Sequence, residues 1–158
     1  MRKTLRSRIF EIRTDTAFEL VMRQCAAPRP GQTGTWIHEE MIAAYLELHR
    51  TGYAHSVEAW KDGELAGGLY GVAIGRMFCG ESMFSRHKDA SKVALAHLAA
   101  QLARWNFGMI DCQMTTAHLT TLGAREIPRA EYLQRLQELV NYPDIVSPWH
   151  FDHHEFVA

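Results

Sequence analysis

The sequence predicts an α+β domain built on a mixed, mostly antiparallel sheet flanked by helices, and three observations carry that prediction. Three strand-like segments are separated only by tight turns, at Lys61-Asp62-Gly63-Glu64 and at Gly75-Arg76, which reads as a meander of strands. An alanine- and leucine-rich stretch with helical spacing follows, and then a short apolar segment, which makes a strand–helix–strand crossover. An amphipathic stretch ahead of the meander supplies a helix to cover the sheet.

In chain order, residues 1–34 form an opening segment: a basic, partly apolar start, a helix-like stretch from Thr16 to Ala26, and a loop marked by Pro28, Pro30, Gly31 and Gly34. Thr35 is the expected N-cap of the amphipathic helix, in which Ile37, Met41, Ala44, Tyr45 and Leu48 recur at three- and four-residue spacing before Gly52 stops it. Strands are predicted over 55–60, 65–74 and 77–85. A long helix should span 90–107, with Asp89 or Ser91 at its start and Gly108 just past its end. A short strand over 109–113, a short helix over 115–122 closed by Gly123, and a helix over 129–140 carrying Tyr132, Leu133, Leu136 and Val140 complete the list. The tail over 141–158 reads as irregular, and a single domain over residues 1–158 is expected. Acyl-CoA N-acyltransferases of the GNAT type share this plan, although a fold alone does not fix a function.

Composition narrows the function classes. The net charge of −1 argues against nucleic-acid binding by bulk electrostatics, which needs many cations to displace phosphate counterions. Local patches remain: Arg2, Lys3, Arg6, Arg8 and Arg13 at the start, and Arg86, His87, Lys88 and Lys92 after the third strand, each readable as a merely solvated face. Cys25, Cys79 and Cys112 are too few and too scattered for a disulfide framework or a zinc ribbon. No apolar run approaches the roughly 20 residues of a membrane span, and the amino terminus lacks a secretion signal, so a cytoplasmic protein without membrane contact is expected. His150, His153, His154, Asp152 and Glu155 offer metal-ligand chemistry but read more simply as a polar tail, so neither a metal nor another cofactor is expected.

Strand alternation gives the candidate chemistry. Glu81, Met83 and Ser85 should share one face of the third strand, and Met109, Asp111 and Gln113 one face of the fourth. If the two faces meet, carboxylates and an amide lie beside flexible apolar side chains, a cleft suited to an apolar acyl group and a cationic amine. The plainer alternative is that Glu81 and Asp111 are strand-end carboxylates held by water or backbone N–H groups. Cys112 should face away from its neighbours, which disfavours a cysteine nucleophile.

The segments Thr35-Trp36-Ile37, Ala54-His55-Ser56-Val57-Glu58-Ala59-Trp60, Gly67-Gly68-Leu69-Tyr70-Gly71-Val72, Phe78-Cys79-Gly80-Glu81-Ser82-Met83-Phe84-Ser85, Ala90-Ser91-Lys92, Ile110-Asp111-Cys112-Gln113 and His118-Leu119-Thr120-Thr121-Leu122-Gly123-Ala124 follow one another in an order that resembles the leucyl/phenylalanyl-tRNA–protein transferases. That resemblance runs from about residue 2 to about residue 140. It implies a GNAT-like domain that transfers leucine, phenylalanine or methionine from aminoacyl-tRNA to the amino-terminal Arg or Lys of an acceptor protein, a degradation signal of the bacterial N-end rule. By position it implies Asp111 and Gln113 as the catalytic pair and Glu81 as the carboxylate near the incoming amine. It places Trp36 and Tyr45 at the terminal adenosine, and Leu69, Phe78, Met83, Leu95 and Leu98 around the aminoacyl side chain. In that setting Arg86, Lys88 and Lys92 become candidates for tRNA phosphates. The family carries a smaller amino-terminal domain ahead of the point where this chain begins, so that domain is expected to be missing.

The activated ester of an aminoacyl-tRNA needs no covalent relay, only positioning, loss of a proton from the amine and support for the oxyanion. Asp111 is therefore expected to polarise Gln113 and assist proton removal, with Glu81 attracting the cation. Two readings compete: a stand-alone aminoacyl-tRNA-dependent transferase acting on a small amine or peptide, and an acyl-CoA acetyltransferase. The loop Ser85-Arg86-His87-Lys88-Asp89-Ala90 lacks the glycines that would expose backbone N–H groups to a pyrophosphate.

Overall fold

A computed structural model describes residues 9–28, 34–145 and 148–152. Its elements are β1 (Glu11–Thr14), α1 (Phe18–Ala26), α2 (Glu39–Arg50), β2 (Ala54–Lys61), β3 (Glu64–Ile74), β4 (Met77–Ser85), α3 (Ala90–Arg104), β5 (Met109–Asp111), α4 (Ala117–Thr121) and α5 (Arg129–Leu139). The five strands lie in the order β1-β2-β3-β4-β5, antiparallel except for β4 and β5, which pair in parallel across the α3 crossover. The mixed, mostly antiparallel sheet expected from the sequence is therefore present. The β2–β3 hairpin turns on Asp62 and Gly63, both at positive φ (52° and 81°), as a two-residue turn matched to strand twist requires.

Each face of the sheet carries its own core. On one side α3 lays Val93, Ala94, Leu98 and Leu102 over Leu69, Ala73 and Phe78. On the other, α1 and α2 bring Phe18, Val21, Met22 and Ile42 against Tyr70 and Phe84. Gly67 permits the close seating of α3, because a Cβ there would stand 2.6 Å from Cβ of Ala90.

Two bulges interrupt the sheet. Between β2 and β3 the register passes from Ala59↔Gly67 to Trp60↔Leu65, which leaves Ala66 unpaired. Its free carbonyl accepts from the backbone N–H groups of Arg86 (2.8 Å) and His87 (3.0 Å), tying down the loop ahead of α3. Between β3 and β4 the register passes from Tyr70↔Ser82 to Gly71↔Gly80, and the extra residue is Glu81.

The opening and the tail take part in this architecture. Strand β1, which the sequence pattern does not reveal, pairs with β2 from Glu11↔Trp60 to Thr14↔Val57. Asp15, just beyond it, accepts from Ser56 N–H (2.9 Å), Trp149 N–H (2.9 Å) and His55 Nδ1 (2.8 Å). The His55 ring stacks on Trp149 at 3.7 Å, and Trp149 is fully buried in the α3-side core although the tail around it has no regular structure. Glu58, also fully buried, accepts from the N–H groups of Thr16 (3.0 Å) and Ala17 (2.9 Å), so a β2 carboxylate caps α1 in place of a local side chain.

Two expected caps are corrected. Helix α2 begins at Glu39 with His38 at its N-cap, while Thr35 accepts from Ile37 N–H in a separate turn. Asp89 sits at the start of α3 at φ 66°, but it makes no side-chain cap and turns its carboxylate to Lys92 instead, at 3.1 Å. The amino-terminal basic residues Arg2, Lys3, Arg6 and Arg8, the loop residues Pro30 and Gly31, and His153, His154 and Glu155 lie outside the described residues.

Candidate active site

The bulge decides where the side chains of β4 point. Without it, the two-residue period would put Glu81 and Met83 on one face. The extra residue changes the phase, so Phe78 and Met83, an odd number of positions apart, both join the α3-side core with Leu69. Glu81 interacts instead with Tyr45 of α2, whose ring meets Tyr70 on the opposite side of the sheet. The expected sharing of a face by Glu81, Met83 and Ser85 is thus corrected. Gly71, opposite the bulge, has no room for a side chain: a Cβ would lie 2.3 Å from the Cys79 carbonyl oxygen and 2.5 Å from the Phe78 ring.

Asp111 is the last residue of β5, and Gln113 lies beyond the strand at φ 63°. Strand alternation therefore does not place Gln113; a three-residue turn does. Met114 N–H donates to the Cys112 carbonyl at 2.7 Å, closing a turn centred on Gln113. The left-handed backbone of a non-glycine residue costs on the order of 1–3 kcal/mol and persists only where neighbours hold it. Asp111 does so, its Oδ1 accepting from Gln113 N–H at 2.7 Å. The turn aims the Gln113 side chain back across the sheet edge, where its Nε2 donates to Glu81 Oε1 at 3.1 Å. Tyr132 of α5 closes the group, donating its hydroxyl to Asp111 Oδ2 at 2.9 Å.

Glu81, Asp111 and Gln113 thus come together, though not as a relay from Asp111 through the Gln113 side chain. Asp111 meets the Gln113 backbone, and the Gln113 amide meets Glu81. Tyr132 is a residue that the sequence does not flag, because its helical spacing with Leu136 gives only the signal of a packing position. Burial, then the charge of Glu81 and a hydrogen bond with it, push the Tyr45 phenol up to about 12. Burial, then the charges of Asp111 and Glu81, push the Cys79 thiol up to about 11. Cys112 is also raised, by burial first and Asp111 second, so neither thiol is disposed to act as a nucleophile.

The remaining expected residues divide by burial. Leu69, Phe78 and Leu98 are fully enclosed in the α3-side core, whereas Met83 and Leu95 are half-buried at its margin. Trp36 is exposed just ahead of α2, and Tyr45 is half-buried on that helix. In the basic loop only Arg86 and Lys88 present exposed side chains. Lys92 is engaged with Asp89, and His87 Nε2 faces Lys61 Nζ at 2.9 Å. The backbone N–H groups of Arg86 and His87 go to Ala66, that of Ala90 to the His87 carbonyl at 3.1 Å, and that of Ser91 to Ser85 Oγ at 3.3 Å. Four of the backbone donors that a phosphate cradle here would use are therefore taken by the protein itself. Among the described residues no cluster of three or more metal-ligating side chains occurs, and no helix is long and apolar enough to cross a membrane.

The parallel β4–β5 edge after a long crossover helix, with polar groups gathered where the pairing of those strands stops, defines a domain of the GNAT acyltransferase fold. A solved aminoglycoside acetyltransferase from an uncultured soil metagenomic sample, in complex with sisomicin, is similar in fold at a TM-score of 0.50 and 8% identity, over 94% of this chain and 97% of that one. The family model described as leucyl/phenylalanyl-tRNA protein transferase matches residues 1–137, and the chain belongs to that family. Relatives named leucyl/phenylalanyl-tRNA–protein transferase include one from Nitrosomonas europaea, 63% identical over 96% of this chain and 64% of its own length. Another, from Thiobacillus denitrificans, is 65% identical over 95% of this chain and 66% of its own length. The chain therefore spans just under two thirds of the length of these relatives.

Proposed function

We propose that this domain forms a peptide bond, transferring leucine, phenylalanine or methionine from aminoacyl-tRNA to the amino-terminal Arg or Lys of an acceptor protein in the cytoplasm. The observation that carries the reading is the hydrogen-bonded group Glu81, Gln113 and Asp111, gathered where β5 ends beside the middle of β4, on a sheet whose α3-side core has Met83 and Leu95 at its margin.

Glu81 supplies the negative charge that draws an ammonium group to this edge. An α-amino group has an ordinary pKa of about 7.7–8.0, so a good fraction is already neutral near pH 7.5 and needs orientation more than a strong base. Gln113 provides it: with Nε2 on Glu81, its carbonyl oxygen is left to accept an N–H of the amine. The amine then attacks the ester carbonyl, the new C–N bond forms, the bond to the ribose oxygen breaks, and that oxygen takes up a proton.

Trp36 and Tyr45 are the aromatic residues for the terminal adenosine, and Arg86 and Lys88, with Lys92 beside Asp89, offer charge to the phosphates behind it. Leu69, Phe78 and Leu98 form the floor of the aminoacyl pocket, and Met83 and Leu95 its adaptable rim, since a thioether side chain repacks around ligands of different shape. The competing acyl-CoA reading is weakened by the occupied N–H groups of the Ser85–Ser91 loop.

Incubation with radiolabelled leucyl- or phenylalanyl-tRNA and an Arg-initiated peptide tests the proposal. Label should enter the peptide, and Asp111→Asn should abolish or severely reduce that transfer. Acetylation of the same peptide from acetyl-CoA, without transfer from tRNA, would replace this reading by the acetyltransferase one.

A further inference from the structure

We infer that Tyr132 is a positioning residue of this site, its hydroxyl fixing the Asp111 carboxylate in the orientation that keeps Gln113 in its left-handed turn and the Gln113 amide on Glu81. The inference deepens the proposed function and rests on it for the kinetic consequence, though not for the structural one.

The two oxygens of Asp111 have separate duties. Oδ1 accepts from Gln113 N–H at 2.7 Å, and Oδ2 accepts from the Tyr132 hydroxyl at 2.9 Å. Rotation of a carboxylate about its Cβ–Cγ bond is broad and nearly two-fold. An Asp111 held only by Gln113 would therefore swing, and the turn would lose the acceptor that maintains φ 63°. The phenol removes that freedom by engaging the second oxygen. It also remains a donor through the neutral range, because burial first, then the hydrogen bond to Asp111 and its charge, raise the phenol above its ordinary value.

Tyr132 is in turn supported by a braced helix. Its N–H donates to the Pro128 carbonyl at 3.0 Å in the first turn of α5. At the other end, the carbonyl of buried Leu139 accepts from Arg76 N–H at 2.9 Å, just ahead of β4. The Leu139 side chain fills the space over Gly108, where a Cβ would stand 2.6 Å from it, just ahead of β5. Helix α5 is thus fastened beside the starts of β4 and β5, and from there it reaches to Asp111 at the end of β5. On this assignment Asp111 acts by orientation rather than by removing the proton: its two oxygens tie the Gln113 backbone to the Tyr132 hydroxyl. It holds Gln113, and Tyr132 holds it.

The test compares the full chain with Tyr132→Phe, which deletes only the hydroxyl, and uses Tyr53→Phe, an exposed tyrosine, as control. In Tyr132→Phe, exchange of the Gln113 backbone amide followed by NMR should accelerate about 10-fold or more relative to the wild-type chain, while buried strand amides keep their rates. In the transfer assay kcat should fall about 10- to 100-fold, with KM for aminoacyl-tRNA within about two-fold of the wild type. Adding Tyr132→Phe to Asp111→Asn should cost nothing further. Unchanged exchange at Gln113, or unchanged kcat in an otherwise active protein, overturns the assignment. If the wild-type chain transfers nothing, the proposed function falls and the positioning role is judged on the amide exchange alone. Should Tyr132→Phe fail to fold, the ultraviolet titration of Tyr132 in Asp111→Asn decides: a phenol that moves toward its ordinary value supports the contact, and one that stays in place refutes it.

Discussion

The Gln113 side-chain amide and the Glu81 carboxylate, 32 positions apart in the chain, are joined by a 3.1 Å hydrogen bond across the edge of the sheet. Each reaches that point by an irregularity, Glu81 as the extra residue of a bulge and Gln113 at the centre of a left-handed turn. Replacing Gln113 by Leu keeps the volume but removes both the donor to Glu81 and the acceptor offered to an amine. Loss of one preorganised polar group of this kind typically costs 10²–10³-fold in kcat, so transfer from leucyl-tRNA should fall by about that factor. Glu81→Gln should instead raise KM for the Arg-initiated peptide more than it lowers kcat, because the attraction for the cation is lost; steady-state kinetics with varied peptide measures the split.

Floor and rim of the proposed aminoacyl pocket should respond differently to truncation. Leu98 is fully buried, and Leu98→Ala should destabilise the fold by about 2–5 kcal/mol in urea unfolding, whatever the donor. Leu95 is only half-buried, so Leu95→Ala should leave stability closer to the wild type and change the ratio of phenylalanine to leucine transferred. Selection by apolar fit limits that change to about 10- to 200-fold. Competition between the two charged tRNAs in one reaction gives the ratio directly.

The Asp15–His55 contact sets an acid limit on stability. Burial alone would push the Asp15 carboxyl up, but the hydrogen bond from His55, its charge, and the Trp149 and Ser56 N–H groups outweigh it and hold the folded-state pKa below the ordinary value. A carboxyl depressed on folding contributes stability in full above its unfolded pKa of about 3.9, and loses it as pH falls through the folded value. Unfolding free energy should therefore decline as pH drops below about 4. Asp15→Asn should flatten that decline and also lower stability at pH 7, since it weakens the acceptor shared by His55 and by the Ser56 and Trp149 N–H groups. Denaturant melts across the pH range check both parts.

Charge on the loop ahead of α3 should be unequal in its effect on tRNA. Arg86→Ala and Lys88→Ala each remove an exposed cation, and each should reduce the slope of log K against log salt by about one. Lys92→Ala should reduce it less, because Asp89 already neutralises that ammonium at 3.1 Å. Filter binding of aminoacyl-tRNA at several salt concentrations yields the three slopes.

What could be read from the sequence was whatever local chemistry dictates. The Asp62-Gly63 turn, the apolar run of β3 and the alanine-rich α3 each carry their own signal, and together they imply the crossover and the sheet. Strand β1 has only four residues and owes its conformation to β2, more than forty positions away, so nothing within it announces a strand. Trp149 is hidden for the same reason: the aromatics of the tail follow no sustained period, yet Asp15 and His55 hold this one in the core. At the site, the resemblance singled out Glu81, Asp111 and Gln113, but alternation misjudged how they face. A bulge and a left-handed turn arise from partners on other elements, Gly71 opposite one and Asp111 with Tyr132 around the other. Tyr132 itself was legible only as one more apolar position on a helix.

The extra residue at position 81 makes the length of β4, rather than the identity of its residues, the quantity under tightest constraint. Phe78 and Met83 can drift among hydrophobes of similar volume, because each only fills space beside Leu69. Removing a single residue between them abolishes the bulge and leaves the two four positions apart, still on one face under strict alternation, so the change falls on the irregular position itself. Such a deletion, harmless in most surface loops, would spare the hydrophobic packing beneath α3 but erase the phase slip that turns the position-81 carboxylate toward Tyr45 and Gln113, an effect that no point substitution at position 81 could reproduce.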